Sequence, residues 1–109
     1  MNDSEALNNL GLMIEVGFED RPGDPDQALE YYRKANKLGN TDASINIAIY
    51  YINGVHVERD PKMGKQLLKQ AYKNGNEKAV DYMVTFGFIK NRKEMEAEML
   101  NIIDEEMVS

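Results

Sequence analysis

Residues 24–43 read DPDQALEYYRKANKLGNTDA, and residues 60–79 read DPKMGKQLLKQAYKNGNEKA. Laid one over the other, Asp24, Pro25, Ala35, Lys37, Gly39, Asn40 and Ala43 return 36 residues later as Asp60, Pro61, Ala71, Lys73, Gly75, Asn76 and Ala79. Toward the N-terminus, Ala6, Asn9 and Gly17 return 37 residues later as Ala43, Asn46 and Gly54. The register slips by one residue between Gly17 and Asp24, which places a loop there, where insertions are tolerated. A fixed period in this range is the mark of a repeat architecture.

Each unit reads as two helices. Ser4 is positioned to cap a first helix carrying Leu7, Leu10, Gly11 and Ile14 at helical spacing, and Gly17 ends it. Asp24-Pro25 then restarts the chain. The Asp side chain accepts from free N–H groups of the first turn, and Pro at the first helical position has no N–H to leave unpaired. Gln27 completes a capping-box spacing. The second helix carries Ala28, Tyr31, Tyr32, Ala35 and Leu38 and stops at Gly39. The second unit repeats the plan, with a first helix over 43–53, a loop from Gly54, a restart at Asp60-Pro61 and a stop at Gly75. A third unit is incomplete: Ala79, Met83 and Val84 match a first helix, but no Asp-Pro follows. Asn91 with Glu94 offers a different cap for a last helix over about 92–107, carrying Met95, Met99, Ile102, Ile103 and Met107. Terminal repeats depart from consensus because they close one end of the core, so this helix reads as a C-terminal cap.

These residues resemble the Sel-one-like repeat, a relative of the tetratricopeptide repeat. The first copy of the pattern is Ala6, Leu10, Gly11, Gly17, Asp24, Ala28, Tyr31, Tyr32, Ala35, Gly39, Asn40 and Ala43; the second is Ala43, Ile47, Ala48, Tyr51, Gly54, Val55, Asp60, Ala71, Gly75, Asn76 and Ala79. Departures are Ile14 at the helix Tyr, Ala48 at the helix Gly, and Gly64-Lys65 at the usual Ala-Leu. The resemblance covers about 5–89. It implies an all-α fold, an α/α right-handed superhelical solenoid, used for protein–protein contact. The expected organisation is one domain, with repeat 1 at about 5–40, repeat 2 at about 41–76, a partial repeat 3 at about 77–90 and the C-terminal helix at about 91–107.

Composition narrows the function. The chain has 109 residues, enough for one small domain. It has no Cys and one His, which removes disulfides, thiolate chemistry and multi-His metal sites within it. The net charge of −6 argues against general nucleic-acid binding. The longest apolar stretch, Ile45 to Ile52, is too short to span a bilayer. Met1-Asn2-Asp3-Ser4-Glu5 is polar and acidic, unlike a secretory leader, so a cytoplasmic location without membrane attachment is expected. No nucleophile–base arrangement, P-loop or metal motif occurs, and His56 reads as a loop surface residue. No enzyme activity and no cofactor are expected.

Binding is expected on first-helix positions outside the small-residue pattern: Asn8, Leu12 and Glu15; Ile45, Ile49 and Ile52; Asp81, Thr85 and Phe88. The helix carrying Ile45, Ile49 and Ile52 is apolar on its other side too, so something must cover this trio: a partner, a second copy, or the C-terminal helix. Charge is segregated, with net −7 over 1–30, +7 over 31–93 and −6 over 94–109. Lys62, Lys65, Lys69 and Lys73 form one helical stripe, read as a solvated face or as a dock for an acidic surface. The sequence therefore points to a non-enzymatic protein–protein interaction module whose partner is another protein or its own second copy. The alternative is a small acidic immunity or inhibitor protein; a self-assembling structural protein and a β-lactam-related hydrolase rank below both.

Overall fold

A computed structural model describes the backbone of residues 2–108 and the side chains of residues 2–100. The order is α1 (Asp3–Val16), β1 (Gly17–Phe18), β2 (Arg21–Pro22), α2 (Pro25–Lys37), α3 (Thr41–Asn53), α4 (Pro61–Lys73), α5 (Lys78–Thr85) and α6 (Arg92–Val108). The fold is an all-α repeat of helix pairs. The closest packing is within pairs, α1 on α2 and α3 on α4; α3 then stacks on α2, and α5 on α4.

The two Asp-Pro starts behave alike. Asp24 Oδ1 accepts from Gln27 N, and Asp60 Oδ1 from Met63 N, both at 3.1 Å, with Pro at the helix start. Each following turn ends on a glycine of positive φ, Gly39 at 91° and Gly75 at 98°, a conformation open to Gly at little steric cost. Asn40 then caps α3, accepting from Ala43 N at 2.9 Å. Asn91 Oδ1 accepts from Glu94 N at 3.1 Å, at the start of α6.

Two local expectations are corrected. Asn2, not Ser4, caps α1: Asn2 Oδ1 accepts from Glu5 N at 2.9 Å and Glu5 Oε2 from Asn2 N at 3.3 Å, a full capping box. Ser4 lies inside the first turn and donates to Asn2 Oδ1. The loop after Gly17 is a small antiparallel hairpin, with Gly17 opposite Pro22 and Phe18 opposite Arg21. Its tip holds Glu19 at φ 49°, with none of the Asn-Gly or Asp-Gly signals that announce such turns.

Within the pairs, the small residues change sides. A Cβ on Gly11 of α1 would sit 2.6 Å from Tyr32 Cε1 and 3.3 Å from Ala28 O. In the second pair the matching first-helix residue is Ala48, and the matching second-helix residue is Gly64 instead of Ala28. A Cβ on Gly64 would meet Ile52 Cγ1 at 2.4 Å and Ala48 O at 3.0 Å. The larger Tyr32 over Gly11 is replaced by Leu68 over Ala48, and the space shifts to the other helix. The Ala48 and Gly64 departures are thus one compensated exchange, keeping both pairs close-packed.

The core has two parts. One joins α2 to α3 through Ala28, Leu29, Tyr32, Ala35, Ala43, Ile47 and Tyr50. The other joins α3, α4, α5 and α6 through residues including Ile45, Ile52, Leu68, Met83 and Met95. Met83 and Met95 are fully buried, whereas Met13 and Met63 are exposed.

Candidate functional site

The first helices α1, α3 and α5 lie side by side and line a shallow groove of about 300 Å³. Asn8, Asn9 and Leu12 come from α1, Asp42, Ile45 and Asn46 from α3, and Lys78 and Tyr82 from α5. Its floor is tied across the repeats. Asn46 Nδ2 donates to Asn8 Oδ1 at 3.0 Å, and Lys78 Nζ to Asp42 Oδ1 at 3.1 Å. Asn76 Nδ2 donates to Asp42 Oδ1 at 2.8 Å and to Thr41 Oγ1 at 3.0 Å. Burial opposes ionisation of Asp42, but the hydrogen bonds from Asn76 and Lys78 outweigh it and hold its carboxyl below the usual range. These partners lie close to one repeat apart in sequence, so the sequence period returns here as a hydrogen-bond period.

A second tie lies deeper. Tyr50 OH donates to Glu15 Oε1 at 2.6 Å, and the Tyr32 and Tyr50 rings meet edge-on with centroids 5.9 Å apart. Burial first, and the Glu15 carboxylate next, push both phenols above the ordinary tyrosine range. The buried Tyr32 hydroxyl has no hydrogen bond of good geometry. Tyr50→Phe is therefore expected to cost about 1–2 kcal/mol by leaving half-buried Glu15 without its donor, while Tyr32→Phe is neutral or stabilising by up to about 1 kcal/mol. Urea denaturation of the two variants checks the opposite signs.

The positions expected to bind divide into three groups. Leu12, Asp81 and Thr85 are exposed. Ile49 and Phe88 are partly buried against the C-terminal core cluster, with Lys65 Nζ 6.0 Å from the Phe88 ring centre. The outward placement of Ile45 and Ile52 is corrected: both are buried in that cluster, and Ile45 reaches the surface only as part of the groove floor. The reason is rotational phase. Residues 48 and 52 pack against the second helix of their own pair, as Gly11 does in α1. Asn8 is buried where α1 meets α3, through its hydrogen bond with Asn46. The chain itself covers this face, with α4, α5 and Met95 of α6. Ile102, Ile103 and Met107 lie outside the described side chains.

The lysine stripe is also partly used internally. Lys65 Nζ lies 3.0 Å from Glu98 Oε1, and Lys69 pairs with Glu98 Oε2. The hydrogen bond from Lys69 is the largest influence on Glu98, burial opposes it, Lys65 adds to it, and the carboxyl sits below the usual range. Lys62 and Lys73 complete the stripe on exposed positions. A depressed folded-state pKa adds stability that is present above the ordinary glutamate value of about 4.3 and lost as pH falls through the lower folded value. Glu98→Gln is expected to cost about 0.5–1 kcal/mol near pH 7 and much less near pH 3, by urea denaturation at both.

His56 Nδ1 lies 3.1 Å from Asp26 Oδ1, joining the second-unit loop to α2 at the surface. Among the described residues, no group of three or more His, Cys, Asp or Glu side chains is placed to hold a metal ion. No described helix is long and apolar enough to cross a membrane. A family model for the Sel1 repeat matches residues 4–40 and 41–76. No curated protein and no solved structure matched the chain.

Proposed function

The chain belongs to the Sel1-repeat family, whose repeats generally mediate protein–protein contact and are typically non-catalytic, and on that premise we propose that it is a non-enzymatic adaptor or regulatory module that holds another protein along its first-helix groove. The observation that supports this most is the groove itself: Leu12 and Tyr82 flank a row of amide and charged groups whose own hydrogen bonds already fix their positions. A partner segment meeting such a row gives up little side-chain entropy on the protein's side. The groove is open, with polar groups interleaved among Leu12, Ile45 and Tyr82, the character of a recognition strip rather than of a closed reaction site. Thr85, the last residue of α5, extends this reading toward the C-terminal side, with Phe88 in the loop beyond the helix and not on it as expected, and Lys62 and Lys73 offer steering charge from α4.

The test is affinity capture from native lysate with wild type and Leu12→Glu in parallel. Leu12 is exposed, so the variant is expected to retain its circular dichroism and unfolding midpoint while losing at least about tenfold of the captured partner, roughly 1.4 kcal/mol. Equal capture by both folded proteins would remove the groove from the account. The acidic net charge also suits a blocking protein for a basic toxin or enzyme; a captured partner whose activity is inhibited one-to-one would select that reading.

A further inference from the structure

We propose that the outer face of α1, walled by the Gly17–Pro22 hairpin, is a stacking surface for an amphipathic helix of a partner protein whose apolar stripe is flanked by Lys or Arg. The proposal rests on the reading of the chain as a protein-binding module, but it concerns a different surface from the first-helix groove.

Internal precedent supports it. In α3, the face of Ala43, Ile47 and Tyr50 packs on the preceding helix α2 and is 0%, 4% and 5% exposed. In α5, the matching Ala79 and Met83 lie in one cluster with Leu68 and Ala71 of the preceding α4. One repeat earlier, the same positions of α1 are Ala6, Leu10 and Met13. Ala6 is exposed, Leu10 is 38% exposed and Met13 is 57% exposed. Three helices carry one stacking face; two have a helix on it, and the described residues place none on the third.

Shape agrees. Leu10, Met13 and Ile14 with Phe18 line a groove of about 560 Å³, larger than the first-helix groove. Phe18 stands on the hairpin, 65% exposed, and forms a side wall. Such a trough accepts one row of apolar side chains at helical spacing, as α3 accepts α2.

Charge selects the occupant. Residues 1–30 hold eight acids against one base, Arg21, which together with Asp24 lines the groove. A second copy presenting its own α1 face would bring two 1–30 segments of net −7 together. A second copy presenting its C-terminal end would bring another acidic segment, with six acids and no base over 94–109. Like charges in juxtaposition oppose both arrangements, and the basic α4 of a folded second copy has its apolar side buried and Lys65 and Lys69 paired with Glu98, whereas a partner helix with a free apolar stripe and basic flanks is attracted.

The chain supplies a probe of the right kind. The segment 60–76 is a basic helix, with Lys62, Lys65, Lys69 and Lys73 against Asp60 alone, and its apolar side is already shaped to pack on a first helix. A synthetic peptide of this segment, stapled between the positions of Gln66 and Gln70 and labelled for fluorescence anisotropy, is titrated with the full chain. Saturable binding is expected, weakening with added salt. It is expected to weaken at least about tenfold in Leu10→Glu and in Met13→Glu, to persist in Leu12→Glu, and to be absent for a peptide with the four lysines replaced by glutamate. Both altered α1 positions are exposed, and the unfolding midpoint of each variant reports its fold. Absence of saturable binding up to about millimolar peptide, or binding indifferent to Leu10→Glu and Met13→Glu, would overturn the proposal. So would a concentration-dependent dimer, seen by sedimentation, that Leu10→Glu dissolves, because the occupant would then be a second copy. If Leu12→Glu abolishes capture of the lysate partner while the peptide fails to bind, the module reading stands and this surface falls.

Discussion

Replacing Gly64 with valine is expected to lower the unfolding free energy by about 3 kcal/mol, the upper part of the range for overpacked cores. The new Cβ would begin 2.4 Å from Ile52 Cγ1 and 3.0 Å from the Ala48 carbonyl oxygen. Neither can yield cheaply. The Ala48 oxygen belongs to the α3 backbone, and Ile52 Cγ1 is a near-backbone branch of a side chain buried in the C-terminal cluster. The helices must separate, and the contacts of Leu68 and Ala71 loosen with them. Gly64→Ala is a sharper comparison. Alanine gains about 1 kcal/mol of helix propensity over glycine, so its net cost is expected to be smaller, about 1–2 kcal/mol. Combining Gly64→Val with Ile52→Ala should cost less than the two separate losses by more than about 1 kcal/mol, because each relieves the other. Chemical denaturation of the four proteins measures this. Additive losses would show that the pair interface is not limited by this contact.

The second large effect is expected at Met95. Its side chain is fully buried and is the one α6 residue in the buried C-terminal cluster among the described side chains. Met→Ala in a core typically costs about 2–5 kcal/mol. Here the loss takes a particular form. Apart from Met95, the described attachments of α6 include the part-buried pairs of Glu98 with Lys65 and Lys69 and the exposed pair of Arg92 with Glu77, which hold a helix less firmly than a fully buried side chain does. Met95→Ala is therefore expected to release α6 before the rest of the fold opens. Hydrogen exchange should show α6 amides losing protection while those of α2 and α3 keep theirs. The opened cluster around Ile45, Ile52 and Met83 should bind a hydrophobic dye. Uniform loss of protection across all helices would instead show that α6 and the repeats unfold as one unit.

The repeat was open to reading because its signals act over a few residues. Asp24 and Asp60 accept from amides three residues on, and Gly39 and Gly75 turn the chain through a conformation other residues avoid. The faces of α3 were less open. That helix is apolar nearly all round, so its composition requires burial without saying which neighbour covers which side. For that reason the sequence alone leaves the burial of Ile45 and Ile52 undecided. The lysine stripe posed a similar ambiguity. A row of like charges has the same appearance whether it meets water, a partner or the chain's own carboxylate, and it took the placement of α6 to bring Glu98 to Lys65 and Lys69. The small exchange between Gly11 with Ala28 and Ala48 with Gly64 was visible only as two departures from a pattern. Its meaning needed the distance from Gly64 to Ile52.

By itself, then, the order of residues determined a helical repeat of 36 to 37 positions, the places where its second helices start and stop, and the segregation of charge into acidic ends and a basic middle. Only the tertiary structure decided which apolar faces the chain covers for itself, which lysines its last helix neutralises, and that no described residue covers Leu10 and Met13 on the outer side of α1. The division has a physical cause. Caps and turns are settled by backbone groups a few residues apart, whereas coverage depends on side chains from different helices meeting across the core, about one repeat apart or more, and no local pattern encodes that meeting.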